Sequence, residues 1–145
     1  MNMLYGSRRE TYRQVFVDYW QRFRAGQPLD AMAQRVVHVI QAHPEYHALL
    51  EDPELALGAD FPPELGQSNP FAHMSLHVAL LELLATGQPP GMVQAYARLC
   101  AQHGDRVAEH LVVDCLGELI WQAQRAGAEP DLHGLLSCMQ AAERR

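Results

Sequence analysis

Histidine and carboxylate side chains stand four residues apart in three segments of this 145-residue chain. They are His43 and His47, then His73 and His77, and finally His110, Asp114 and Glu118. Side chains at this spacing lie one above another on one face of an α-helix. Imidazole and carboxylate are ligands of zinc, iron, manganese and nickel, and helical bundles bind metals through ligands from facing helices. The sequence therefore predicts a transition-metal site drawn from these seven residues, with the metal ion as cofactor.

The second histidine pair belongs to a segment that predicts a helix over residues 70–85. On a helical wheel, Leu80 and Leu84 fall beside His73 and His77, so both histidines share the apolar stripe. An apolar stripe faces the core of a soluble protein. We therefore expect both imidazoles to point inward, one helical turn apart.

The third group lies in the longest predicted helix, residues 105–125. This helix is apolar nearly all round, which is typical of a helix in the middle of a domain. His110, Asp114 and Glu118 would then form a buried polar stripe, which needs compensation because isolated buried charge is costly. Metal coordination would supply that compensation, with Glu118 as a further ligand, a bridging carboxylate or a general base.

Helical spacing of apolar residues recurs along most of the chain, separated by proline and glycine. The predicted helices cover residues 8–23, 30–42, 44–50, 70–85, 91–102, 105–125 and 131–144, the third being only a short turn. No segment alternates apolar and polar residues as a half-buried strand does. The sequence predicts an all-α fold, a single-domain helical bundle of about five to six helices over residues 1–145.

Residues 51–67 interrupt this pattern between the second and third main helices. They contain three prolines, two glycines and five acids but no basic residue, which predicts an irregular acidic loop. Long loops of this kind are commonly functional. Because the loop lies between two ligand segments, it could cover the metal site.

Charge and hydropathy exclude two classes of partner. Eleven arginines, no lysine and seventeen acids give a formal net charge of −6, and only the first helix is basic, which disfavours nucleic-acid binding. No apolar stretch has the length of a membrane span or a signal peptide. The sequence predicts neither a nucleic-acid nor a membrane partner, and it names no small-molecule substrate.

The three cysteines point to a reducing compartment. Their number is odd and none forms a Cys-x-x-Cys pair, which argues against a disulfide framework and a thiolate zinc site. Cys115 and Cys138 are expected to be small buried apolar side chains. A bacterial cytoplasm is the simplest location.

A second interpretation needs no metal. The histidines and acids could form a buried polar network, with Asp114 and Glu118 paired to Arg98 or Arg13, inside a non-catalytic protein-interaction module. Its apolar first helix would then dock a partner or a second copy of the chain, so a homo-oligomer is also open. Whether the chain is an enzyme stays open under both interpretations.

Several motifs in order resemble a known family. They are His43-Pro-Glu-Tyr-His47, Asn69-Pro-Phe-Ala-His73-Met-Ser-Leu-His77, Glu109-His110 through Glu118, Trp121-Gln-Ala-Gln-Arg125, and Tyr19-Trp20 with Arg24-Ala25-Gly26 in the opening helix. Over nearly the whole chain, the sequence resembles the bacterial domain-of-unknown-function family 1841. The resemblance implies a small cytoplasmic bacterial protein and implies no activity.

A weaker likeness is to hemerythrin-like di-metal bundles. Five histidines and two carboxylates are similar in number to their di-iron ligands. The order and spacing differ, because no His-x-x-x-Glu stands on a second helix. The likeness therefore implies only a bundle rich in imidazole and carboxylate.

Overall fold

The computed structural model describes residues 9–61 and 69–144, with side chains from residue 12 onward, and its regular structure there is helical. The helices are α1 (Arg9–Arg24), α2 (Ala31–Gln41), α3 (His47–Leu50), α4 (Pro53–Gly58), α5 (Pro70–Thr86), α6 (Met92–His103), α7 (Asp105–Ala126) and α8 (Leu132–Glu143). A 3₁₀ turn, Pro44–Tyr46, connects α2 to α3. No residue in the described ranges belongs to a strand, which confirms the all-α prediction. None of the helices in these ranges is long and apolar enough to cross a membrane.

The described residues form eight α-helices, more than the five to six predicted: α3 lies within the short turn predicted over residues 44–50, and α4 is a helix that was not predicted. Helix α4 forms inside the predicted irregular loop 51–67. The Asp52 side chain accepts a hydrogen bond from the Leu55 amide, and Pro53 occupies the first turn, so the helix has a standard start. The loop prediction is therefore wrong for residues 53–58, and its residues 62–67 lie outside the described ranges.

Two predicted breaks are confirmed by glycines that adopt positive φ. Gly104 separates α6 from α7 with φ 86° and ψ 156°, a conformation essentially restricted to glycine. Gly127 ends α7 in the left-handed region at φ 66°. At the start of α2, the predicted boundary is equally clear, because the Asp30 side chain accepts from the Ala33 amide.

The chain divides into two compact units, residues 1–78 and 79–145, and the boundary falls within α5. In the first unit, α1 packs against α2, α3 and α4. Its core contains the fully buried side chains Phe16, Val36, Ile40, Leu50 and Phe71. Phe16 meets Phe71 edge to face, 5.8 Å between ring centres, and the Tyr12 hydroxyl donates to the Phe71 carbonyl. These contacts fix the first turn of α5 against α1.

Arg13 joins α1 to α4. Its guanidinium, 2% exposed, donates to the carbonyls of Ala56 at 3.0 Å and Ala59 at 2.7 Å. These carbonyls lie at the end of α4, where a cation is favourable because the helix dipole is negative there. The guanidinium also lies over the Phe71 ring, 4.9 Å from its centre. These two hydrogen bonds hold the Arg13 guanidinium at the end of α4.

In the second unit, α6, α7 and α8 pack against one another. The fully buried core here includes Met92, Leu99, Val112, Leu135 and Met139. A disulfide joins Cys115 on α7 to Cys138 on α8, with 5.9 Å between the Cα atoms, while Cys100 stays outside any disulfide. Cys115 is buried, as expected, whereas Cys138 is only half-buried, and the disulfide contradicts the argument from cysteine pattern. An odd number of cysteines allows one pair once packing brings two helices together.

Helix α7 is buried on one face only. Val112 and Leu116 lie in the core, whereas Val107 and Trp121 are about half exposed, 50% and 51%. The expectation of a helix surrounded by protein is therefore wrong. Apolar side chains occupy the exposed side as well as the buried side, so the composition of α7 does not reveal its orientation.

We expect Arg13→Met to lower the free energy of unfolding by about 3 kcal/mol, because one buried and one half-buried carbonyl lose a charged donor. Urea denaturation monitored by circular dichroism measures this loss. Arg22→Met is the matched control. Its guanidinium is exposed over the Tyr19 ring, and we expect a change within about 0.5 kcal/mol. Equal losses in both variants would contradict the role assigned to Arg13.

Alkylation of the denatured, unreduced protein should modify one cysteine, Cys100, whereas prior reduction should make all three reactive. Mass spectrometry of the peptides identifies the modified positions. Because the disulfide closes a 23-residue separation, we expect its removal to cost about 3 kcal/mol of stability. Three reactive thiols before reduction would show that α7 and α8 are not covalently linked.

Candidate metal centre

Three histidines from two segments of the first unit meet in one cluster. His43 follows α2, and His73 and His77 lie on α5. Their rings pack edge to face, with centres 4.6 Å apart for His73 and His77, 4.8 Å for His43 and His77, and 5.2 Å for His43 and His73. One nitrogen from each ring lies within 4.8 Å of the others. We call this group the histidine cluster.

Helix α5 places two of these rings on one face, as predicted. The Asn69 side chain accepts hydrogen bonds from the amides of Phe71 and Ala72, and Pro70 begins the helix. The start is therefore fixed just before the first histidine. His73 and His77 follow at four-residue spacing, so both reach the same point from adjacent turns.

The backbone fixes the tautomer of His43. Its Nδ1 lies 2.7 Å from the Val39 carbonyl, which can only accept, so Nδ1 carries the proton. In the neutral ring the lone pair is then on Nε2. Metal-binding histidines are commonly oriented by this kind of hydrogen bond to a carbonyl. His43 therefore has the form that a metal ligand requires.

The two histidines of α5 approach through their Nε2 atoms, which are 3.1 Å apart. Without a metal, one of these nitrogens donates a hydrogen bond to the other. Two nitrogens bound to one tetrahedral zinc ion at ordinary bond lengths would be roughly 3.3 Å apart. The pair therefore already has nearly the separation of two ligands of the same ion.

Burial distinguishes the three rings. His77 is 2% exposed and His43 8%, whereas His73 is only half-buried and contacts solvent. Tyr46 stacks nearly parallel on His43, with ring centres 5.5 Å apart. Partial burial, and secondarily the Glu45 carboxylate, raise the pKa of Tyr46. Its hydroxyl therefore stays protonated at neutral pH, and its ring covers one face of His43.

His47, the fourth predicted ligand in this unit, is directed elsewhere. Its Nε2 donates to the Ile40 carbonyl at 2.8 Å, and its ring lies 4.5 Å from Trp20. Phe23 stacks on Trp20 as well, with ring centres 5.5 Å apart. Trp20 is 5% exposed, so it is part of this packing and not a free docking surface. The structure does not bring His47 into the histidine cluster.

The predicted ligands of α7 belong to the second unit and lie on its exposed side. His110 Nδ1 donates to the Arg106 carbonyl at 2.8 Å, and Glu118 accepts from Gln122. Asp114 is exposed as well. The expectation of a buried polar stripe is wrong, since the buried face of α7 carries apolar side chains. Whether these three residues bind metal stays a prediction.

The proposed buried ionic network also takes another form. Arg98 pairs with Glu143 on α8, at 2.7 Å, and Arg13 binds the end of α4. Sequence reasoning missed two supports of the cluster, the Val39 carbonyl and the Tyr46 ring. Tyr46 stands three residues after His43, a spacing that could have suggested contact, whereas the carbonyl leaves no sequence signal.

Nitrogen-15 NMR of the metal-free protein, at a pH where imidazoles are neutral, should show the Nδ1–H tautomer for His43. His47 should show the opposite tautomer, because its Nε2 donates to a carbonyl. The two residues are internal controls for one another in the same spectrum. An Nε2–H tautomer at His43 would contradict the ligand orientation described above.

Comparison with known proteins gives one match. The model of the family described as Domain of unknown function (DUF1841) matches residues 8–141. No curated protein matches the chain, and no solved structure does. The matched region includes all three histidines of the cluster and covers most of the 145 residues. The chain therefore belongs to the DUF1841 family, the family that its motifs resemble.

Proposed function

We propose that this protein binds a transition-metal ion through His43, His73 and His77. One observation carries the proposal: three imidazoles from two separate segments converge, each with a nitrogen within 4.8 Å of the others. Histidines that only fill space in a core have no reason to meet at one point. A metal ion uses the three lone pairs together.

The polar character of the cluster supports this proposal. Two of the three rings are buried, and buried polar groups are retained when they have partners. At His43 the Nδ1 proton is donated to the Val39 carbonyl, so Nε2 is the nitrogen with a lone pair in the neutral ring. An apolar side chain in the same place would need no polar partner. A bound metal ion would be a partner for the Nε2 lone pair.

The donor set narrows the choice of metal. Imidazole nitrogen suits zinc, iron and nickel, whereas manganese prefers oxygen ligands. Among the described residues, no carboxylate or thiolate joins the three histidines within the same distance. Zinc, iron(II) and nickel(II) are therefore the better candidates of the four metals predicted. His47, His110, Asp114 and Glu118 stay predicted ligands that this centre does not need.

A second candidate is favoured by the direct contact of His73 and His77. Their 3.1 Å hydrogen bond could belong to a purely structural polar network in a non-catalytic interaction module. The two candidates differ in one respect that can be measured. A metal that binds only the native state raises its stability, whereas a structural network gives no such response.

Location and other partners rest on composition and family resemblance. We retain the bacterial cytoplasm as a proposal from the resemblance, because the Cys115–Cys138 disulfide removes the argument from cysteine number. The acidic balance, a net charge of −6, supports the proposal that nucleic acid is not a partner.

Protein purified without chelators should contain about one zinc, iron or nickel ion per chain, because the three histidines form a single cluster. His77→Ala should lose the ion, because a ligand with a buried ring is removed. His38→Ala is the matched control, since His38 is exposed in the same unit. The double variant His110→Ala, Asp114→Ala tests the exposed side of α7, and we expect its metal content to be unchanged. Elemental analysis measures all four proteins.

Thermal denaturation supplies the second readout. Metal in hundredfold excess over its Kd should stabilise the wild type by about 2.7 kcal/mol and leave His77→Ala unaffected. The proposal is contradicted if the purified native protein contains no metal and if zinc, iron(II) and nickel(II) all fail to stabilise it. That result would favour the structural network instead.

A further inference from the structure

We infer that two copies of this chain associate through α7, with their two α7 helices packed antiparallel. The surface involved is formed by Arg106, Val107, His110, Leu111 and Asp114, and we call it the α7 patch. Its occupant is the α7 patch of a second copy. The inference concerns the second unit and does not depend on the histidine cluster.

The α7 patch is an open groove on the exposed side of the helix. Its volume is about 340 Å³, and the residues that line it all belong to α7. Val107 is 50% exposed and Leu111 is half-buried, so the groove contains apolar side chains as well as polar ones. A groove between the side chains of one helix can receive a ridge of side chains from another helix. The shape of the patch therefore fits a second helix.

The charge of the α7 patch changes sign along the helix. Arg106 precedes His110 by four residues and Asp114 follows it by four, so base and acid lie about one turn to either side of His110. Both charged side chains are exposed. A two-fold axis at His110 places the Asp114 of a second copy opposite Arg106, and the Arg106 of that copy opposite Asp114. One axis thus creates two ion pairs, which is the self-complementarity that a symmetric dimer requires.

The apolar side chains favour the same arrangement. With the axis at His110, Val107 of one copy lies within about 3 Å, measured along the helix, of Leu111 of the other copy. Both residues therefore lose exposure to water together, which is favourable. A parallel arrangement would instead place Arg106 opposite Arg106 and Asp114 opposite Asp114. Repulsion between these like charges selects the antiparallel arrangement.

The dimer is expected to be weak. The formal net charge of −6 repels the two copies, although salt screens exposed charges beyond about 8 Å at physiological ionic strength. An exposed ion pair contributes at most about 1 kcal/mol. The α7 patch covers about two turns of one helix, so the interface falls in the small class that is typical of transient complexes. We therefore expect a Kd of roughly tens to hundreds of micromolar.

Charge reversal in the full-length protein tests the two ion pairs. Arg106→Asp and Asp114→Arg each replace two attractions of the dimer by two repulsions. Each should raise the Kd for self-association at least about tenfold, or about 1.4 kcal/mol. Arg144→Asp and Glu129→Arg are the matched controls, because they change the net charge equally at exposed positions of the same unit, outside α7. Their Kd should change less than about threefold. Sedimentation equilibrium measures all five proteins.

Mixing the two reversed variants is the most specific test. In a mixed dimer of Arg106→Asp with Asp114→Arg, one copy has acids at both positions and the other has arginines, so both ion pairs are restored. The equimolar mixture should associate with a Kd within about threefold of the wild-type value. The inference is overturned if the wild type stays monomeric at about millimolar concentration, if the reversed variants associate as the controls do, or if mixing does not restore association.

Discussion

The approach of two imidazole nitrogens to 3.1 Å is the constraint on which the account of this protein depends. Helix α5 sets that separation, because His73 and His77 leave adjacent turns on the same face. His43 reaches the same point from the end of α2, with its proton held by the Val39 carbonyl. One nitrogen from each of the three rings lies within 4.8 Å of the others, and the proposed metal site rests on this arrangement.

Packing in the first unit holds the end of α2 and the start of α5 in place. The start of α5 is held by the Asn69 cap and by the contact of Phe71 with Phe16 on α1. The end of α2 is held by buried side chains such as Ile40, whose carbonyl also binds His47. The hydrogen bonds that Arg13 of α1 donates to carbonyls of α4 hold these two helices together. The histidines therefore lie on packed helices and their immediate ends, which is the support that a pre-arranged site requires.

Periodicity and helix-end signals predict most of the fold. The wheel of α5 places His73 and His77 on the inward face, and Gly104 and Gly127 mark the ends of α7. A capping side chain followed by proline marks the start of α5 at Asn69-Pro70. The same pattern stands at Asp52-Pro53, where the surrounding prolines and acids favoured a loop instead of the short helix α4. The wheel of α7 could not choose a buried face, because apolar residues occur on both sides. Likewise, counting cysteines could not reveal a pair that forms only when α7 and α8 pack together.

Spacing alone also could not select the third ligand. His43 and His47 are four residues apart, but the 3₁₀ turn Pro44–Tyr46 lies between them, so they do not share a continuous helical face. One ring turns toward α5 and the other toward Trp20. The choice depends on where the backbone carbonyls of α2 lie, since Val39 binds one histidine and Ile40 the other. Such contacts follow from packing and leave no residue pattern.

Anomalous diffraction from crystals of the zinc-loaded protein, recorded at the zinc absorption edge, tests the central claim most directly. The account predicts one strong peak about 2.0–2.1 Å from the Nε2 atoms of His43, His73 and His77. A peak beside His110 and Asp114 on α7, with none at the three histidines, would contradict it.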